Sequence, residues 1–160
     1  MNNFDMCVEI ILQEEGGLST NKDDPGRITK YGISARAYPH LDIRNLSKEA
    51  ASNIYRADYW NPIRCDDLPT GVDLLVFNAA VNMGQVTAVK ILQEAARVTI
   101  DGIIGNGTIQ AVKAEMPHII GEFCALQAWR YEINRNEETF GKGWFRRLFR
   151  MHHIALQWAS

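Results

Sequence analysis

Apolar positions at Phe4, Val8, Ile11 and Leu12 recur with helical spacing, and the pattern predicts a helix that Gly16-Gly17 ends. The next stretch loses that period. Asp24-Pro25-Gly26-Arg27 reads as a turn, and the short segments around Leu18–Asn21 and Ile28–Ile33 are expected to pair as a small hairpin. Ser47 is placed to cap a helix through S-K-E-A-A-S-N-I-Y-R-A-D-Y-W, which Pro62 stops. From Gly71 to Gly84 almost every side of the predicted helix is apolar, which marks the buried centre of a domain. An amphipathic helix follows from about Gln85 to Arg97, with Val89, Leu92 and Ala96 inward and Gln93 beside them. Asp101-Gly102 signals a turn, Asn106 or Thr108 can cap a helix to about Met116, and Pro117 suits the first turn of another reaching roughly Asn136. The sum is a mainly α chain of about six to eight helices with one small β-hairpin near residues 18–33.

At 160 residues and 18.1 kDa the chain is sized for one domain with a single proper core. A net charge of −2 leaves no electrostatic footprint for nucleic acid. No apolar run approaches a membrane span, and stable membrane insertion is not expected. The opening M-N-N-F-D-M-C-V-E-I lacks a basic n-region and a long apolar stretch, so no cleavable signal peptide is expected. Cys7, Cys65 and Cys124 are odd in number and scattered, and read as buried thiols rather than a disulfide framework. The four histidines show no metal-ligand spacing, and no metal or other cofactor is implied.

The candidate chemistry lies in Q-E-E-G-G-L-S-T-N-K-D-D-P-G-R-I-T-K-Y-G-I-S, where Asp24 comes nine positions after Glu15 and Thr29 five after that. At about 100° per residue, Glu15 falls within about 20–40° of the centre of the first helix's apolar stripe, and Glu14 lies roughly 80° to one side. A carboxyl that continues a buried face is partly desolvated, which raises its pKa and suits a general acid. Cleavage of a glycosidic bond needs one such protonated carboxyl. It needs a second, ionised one to support the developing cation or activate water. Asp24 is the candidate for the second role, with Asp23 a competitor, and the Thr29 hydroxyl can position the water. The same residues have plain structural readings: a last-turn ion pair for Glu15, turn capping for Asp24 and a β-branched strand position for Thr29.

The motifs E-G-G, D-P-G-x-x-T-x-Y-G-I, Y-x-x-x-Y-W, V-x-F-N-x-x-V-N-M-G, I-L-Q and D-G-I-I-G-x-x-T resemble those of the glycoside hydrolase family 108 N-acetylmuramidases, from Phe4 almost to the C-terminus. That family includes phage endolysins and secretion-activator muramidases. The spacing of Glu15, Asp24 and Thr29 is also similar to that of phage-type lysozymes. The resemblance implies a lysozyme-like helical fold over residues 1–160, with residues from about 1 to 95 catalytic and from about 96 to 160 helical and peptidoglycan-binding-like. Glu15 would be the catalytic acid, with Asp24 and Thr29 matched more loosely to the second acid and the hydroxyl. Arg27 replaces a Gly common in the family's D-P-G-G, and N-G stands before Thr108 where related sequences often have Pro-Lys.

For substrate binding the candidates are Tyr31, Trp60, Asn78 and Asn82. Trp60, beside Asn61-Pro62, is the best placed of three aromatics to stack on a sugar; the other reading puts it in the core. Asn78 and Asn82 share a helix face, either as a buried polar lock or facing the cleft to hold an N-acetyl group or the catalytic water. The last twenty residues join Lys142, Arg146, Arg147 and Arg150 to Trp144, Phe145, Phe149 and Trp158. They read as a packed terminal helix or as a membrane-active tail. The expected activity is hydrolysis of the β-1,4 bond between N-acetylmuramic acid and N-acetylglucosamine in peptidoglycan strands. A monomer is expected, made in the cytoplasm and released to the wall through a holin or a secretion channel. The rivals are a lytic transglycosylase on the same bond and a non-catalytic wall-binding or secretion-assisting module.

Overall fold

The computed structural model describes residues 2–21, 24–134 and 137–159, and their side chains apart from those of residues 21–27 and 137–140. The chain separates into two compact units, Met1–Asp58 and Tyr59–Ser160.

The first unit opens with helix α1, Asn3–Glu15. Asn2 and Asp5 form a reciprocal capping box, Asn2 Oδ1 accepting from Asp5 N at 2.9 Å. The apolar stripe predicted for α1 is its buried face: Phe4, Cys7, Val8, Ile11 and Leu12. Gly16 ends the helix at φ +78, its N–H bonding the Leu12 carbonyl. Three antiparallel strands follow in the order β1 (Ser19–Asn21), β2 (Asp24–Lys30) and β3 (Ile33–Ser34). The sheet therefore has one strand more than the expected hairpin. Asp24-Pro25-Gly26-Arg27 lies in β2 rather than in a turn, with Asp24 paired to Asn21 of β1. Asp23 lies outside the described residues. Helix α2, Lys48–Tyr55, begins where predicted, with Ser47 Oγ accepting from Ala50 N at 3.0 Å, and runs into a π-helical turn at Arg56–Trp60. Lys48 pairs with Glu9 of α1, and the Arg56 guanidinium lies 4.7 Å from the Phe4 ring centre.

The second unit is built on α3, Val72–Met83, buried from Val72 through Ala80. It packs against α4 (Gln85–Ala95), α6 (His118–Glu132) and α7 (Glu137–Trp158). Gly71, at φ +93, lets α3 start hard against α7: a Cβ there would lie 2.6 Å from the Ala155 carbonyl oxygen. Helix α5, Asn106–Ala114, begins at Gly105 with no side-chain cap. Neither Asn106 nor Thr108 caps it, because the helix already begins at Asn106 and leaves Gly105 in the N-cap position; Asn106 Oδ1 is instead taken by Arg64. Leu148, Met151 and Ala155 bury one side of α7, so the terminal helix is a packed element. Cys7, Cys65 and Cys124 are buried thiols. No helix among the described residues is long and apolar enough to cross a membrane.

Candidate functional site

Glu15 is the last residue of α1, and the backbone around it is tightly determined. The carbonyl of Gly16 accepts from Tyr31 N at 3.1 Å, which ties the helix end to the β2–β3 connection. That connection is the two-residue turn Tyr31-Gly32, both left-handed at φ 53 and 74, between the paired residues Lys30 and Ile33. Paired left-handed residues give the turn the twist of the strands it joins, and a glycine at one of them relieves the steric cost.

Gly32 is also required by what it touches. A Cβ at that position would lie 2.8 Å from Glu15 Oε2, 2.9 Å from Glu15 Cγ and 2.6 Å from the Tyr55 hydroxyl. That hydroxyl donates to the Tyr31 carbonyl at 2.8 Å from a buried ring. The Glu15 carboxyl is therefore held against a turn that is itself pinned from α2. Glu14 and Glu15 are both half-buried, but it is Glu15 that meets the turn. Tyr31 is half-buried, with Lys30 Nζ 5.7 Å from its ring centre.

Thr29 sits on the central strand, paired with Ser19 on one side and Ser34 on the other, two residues before the turn. Its half-buried hydroxyl takes no hydrogen bond among the described residues, so it can bind a water or substrate group. Asp24 opens the same strand, and its side chain lies outside the described residues. Gly32 and Tyr55 were not selected as site residues from the sequence. Y-G-I within the motif marked the glycine, whereas nothing local marked Tyr55, whose partner is 24 residues away.

Two substrate-binding expectations are corrected in the second unit. Trp60 is completely buried and meets Phe77 edge-on at 5.3 Å, so it is a core residue and offers no face to a sugar. Asn78 is also completely buried, its Oδ1 accepting from Arg147 Nε at 2.7 Å. This is the polar lock between α3 and α7, formed because a buried amide needs partners. Asn82 is half-buried and donates to the Tyr131 hydroxyl at 2.7 Å, as does Gln127. Arg147, Gln127 and Tyr131 thus complete a cluster of which the sequence showed only the asparagines.

Residues 8–84 match the family model described as Glycosyl hydrolase 108, and residues 87–149 the model described as Predicted Peptidoglycan domain. No curated protein matches the sequence. Among solved structures the chain is similar to SagA of Brucella abortus, at 34% identity and a TM-score of 0.86, over 98% of this chain and 95% of that one. The likeness extends through both halves and bears out the mainly α, lysozyme-like fold. On the motifs, the fold and this likeness together, the chain belongs to the glycosyl hydrolase 108 family and is a peptidoglycan-degrading glycoside hydrolase of the muramidase type.

Proposed function

We propose that the chain hydrolyses the β-1,4 bond between N-acetylmuramic acid and N-acetylglucosamine, with Glu15 as the general acid. The observation that carries this reading is the fixed placement of the Glu15 carboxyl against Gly32 at the end of α1. A proton donor held by a short turn and a buried tyrosine reaches the leaving oxygen without further ordering, and such preorganisation lowers the barrier directly. Asp24 supplies the second carboxylate, which stabilises the oxocarbenium-like state or activates water, and Thr29 orients that water. Tyr31, beside Glu15 on the turn, contacts the sugar.

The peptidoglycan strand is the substrate, and no cofactor enters the reaction. The enzyme acts on the wall as an endolysin or in wall remodelling for secretion, reached from the cytoplasm through a holin or a secretion channel. Digestion of purified murein by the wild type and by Glu15→Gln tests the reading. Reducing ends from the wild type and none from the variant, with equal melting curves, are expected. Anhydro-muramic ends in the wild-type digest would make the enzyme a lytic transglycosylase. Wall pelleting with no cleavage at all would make it a binding module.

A further inference from the structure

The outward side of α7 holds a charge pattern that the proposed cleavage does not use. From Gly141 to the C-terminus the chain has Lys142, Arg146, Arg147 and Arg150 and no acid, in a protein whose net charge is −2. The rest of the chain is therefore acidic, and these cations are gathered on one element. Packing divides them. Arg147 turns inward to Asn78 of α3, while Lys142, Arg146 and Arg150 are exposed. Leu148, Met151 and Ala155 fill the inner side of the helix, so α7 is held in its unit and the same residues always face out.

At about 100° per residue the exposed positions fall on one arc. Leu156 and Phe149 lie at one edge, within about 20° of each other. Lys142 and His153 follow about 40–60° from Leu156, and Arg146 and Arg150 about 80–120° from it. Phe149 is 68% exposed and Leu156 40%. The Phe149 ring is not loose: it stacks on Phe145 with centroids 6.5 Å apart, and Phe145 meets Tyr131 of α6 edge-on at 5.8 Å. Cations alone would make a solvated face. An aromatic ring held outward beside them suits a surface that has both an anionic and an apolar layer.

Trp129 of α6, 62% exposed, has the opposite surroundings. By the same count Ile133 lies about 40° from it, with Glu122 about 20° and Glu132 about 60° away. Those carboxylates repel an anionic surface, so the α6 face does not fit the partner that α7 fits. A soluble polyanion would engage the α7 cations and leave Phe149 in water. A lipid surface uses both. No helix among the described residues is long and apolar enough to cross a membrane, so the contact is peripheral.

We propose that the outer face of α7 docks the protein on an anionic phospholipid surface. Lys142, Arg146 and Arg150 meet the headgroup phosphates, and Phe149 and Leu156 enter the boundary between headgroups and acyl chains. The helix keeps its packing against α3 and α6, so docking needs no release of a tail. This goes beyond the muramidase reading and does not depend on it: the partner is the bilayer beside the wall rather than the glycan.

The test sediments the full chain with vesicles of phosphatidylcholine alone and of phosphatidylcholine mixed with phosphatidylglycerol. Binding to the anionic vesicles only, weakening as salt rises, is expected. Lys142→Gln together with Arg146→Gln should weaken it about 30-fold, the equivalent of ~1 kcal/mol from each cation. Phe149→Gln should weaken it about tenfold and leave the salt dependence unchanged, since it removes apolar burial and no charge. Trp129→Gln should change nothing. All the replaced side chains are exposed, so melting curves and murein cleavage should stay as in the wild type. No binding to anionic vesicles, or binding unchanged by both α7 variants, overturns the proposal. So does an equal loss with Trp129→Gln, which would mark general adhesion. Binding that survives Phe149→Gln and is abolished by soluble polyphosphate would assign the face to a soluble polyanion. Loss of murein pelleting by the α7 variants, read in the Glu15→Gln chain with vesicle binding unchanged, would assign it to the wall. Either result overturns the lipid assignment.

Discussion

Gly32 and Glu15 are in contact through the absence of a side chain: the space a Cβ would fill at Gly32 ends 2.8 Å from the Glu15 carboxyl oxygen. The two residues lie on different elements, the β2–β3 turn and the end of α1, and the turn holds the acid in place.

Gly32→Ala should therefore reduce activity more than stability. The left-handed φ costs roughly 1–2 kcal/mol, and the methyl must displace Glu15 or Tyr55. A displacement of about 1 Å at a catalytic group costs on the order of 100-fold in rate. A folded variant with melting slightly lowered and kcat reduced at least about tenfold is expected. Wild-type kcat would show that the turn does not position Glu15.

Tyr55→Phe keeps the buried ring and removes the hydrogen bond to the Tyr31 carbonyl. A loss of about 1–2 kcal/mol is expected from the unmade bond. Since the hydroxyl acts through the turn, kcat should fall while KM for murein fragments changes little. A change in KM alone would place Tyr55 in substrate binding.

Asp24→Asn should lower turnover strongly with little change in wall binding, because its charge acts in the transition state. Asp23→Asn should retain most activity. Sedimentation with murein beside a reducing-end assay compares them, and an inactive Asp23 variant would shift the assignment by one residue.

Deleting the chain from Gly143 onward removes Leu148, Met151 and Ala155 from the core. Large-to-small changes at such sites cost about 2–5 kcal/mol each, so the truncated chain should lose its cooperative melting transition. A membrane-active tail predicts the opposite: a folded truncation that digests purified wall and fails only on intact cells. Melting curves and both assays on one truncation separate these outcomes.

Burial pushes the Cys124 thiol up from 9.0 to about 12, and burial also raises the Tyr131 hydroxyl. Both groups are neutral when folded, so their contribution to stability is complete below the unfolded pKa and is lost as pH rises toward the folded one. The melting midpoint should fall above about pH 9, and Cys124→Ala should make that fall shallower. Ellman's reagent at pH 8 should label Cys124 only after unfolding.

Much of the architecture was legible because it depends on local periodicity. The stripe on α1, the all-round apolar α3, the Ser47 cap and the Asp101-Gly102 turn depend on neighbours three or four residues away, and each is found where the sequence put it. The strand boundaries were less legible. Asp24-Pro25-Gly26-Arg27 has the composition of a turn, but Asp24 pairs with Asn21 and the segment is strand.

The sequence alone determined the family, the helical fold and Glu15 as the candidate acid, since these follow from residue order, hydrophobic period and motif spacing. Tertiary structure decided which polar and aromatic residues are available to a ligand. Trp60 and Asn78 resemble binding residues in a linear reading, and only packing shows that Phe77 and Arg147 occupy them. Tyr55 and Gly32 gain their roles from partners brought close by folding, or from room that a neighbour leaves none of. Solvent exposure and long-range partners belong to the folded chain, and no window of sequence contains them.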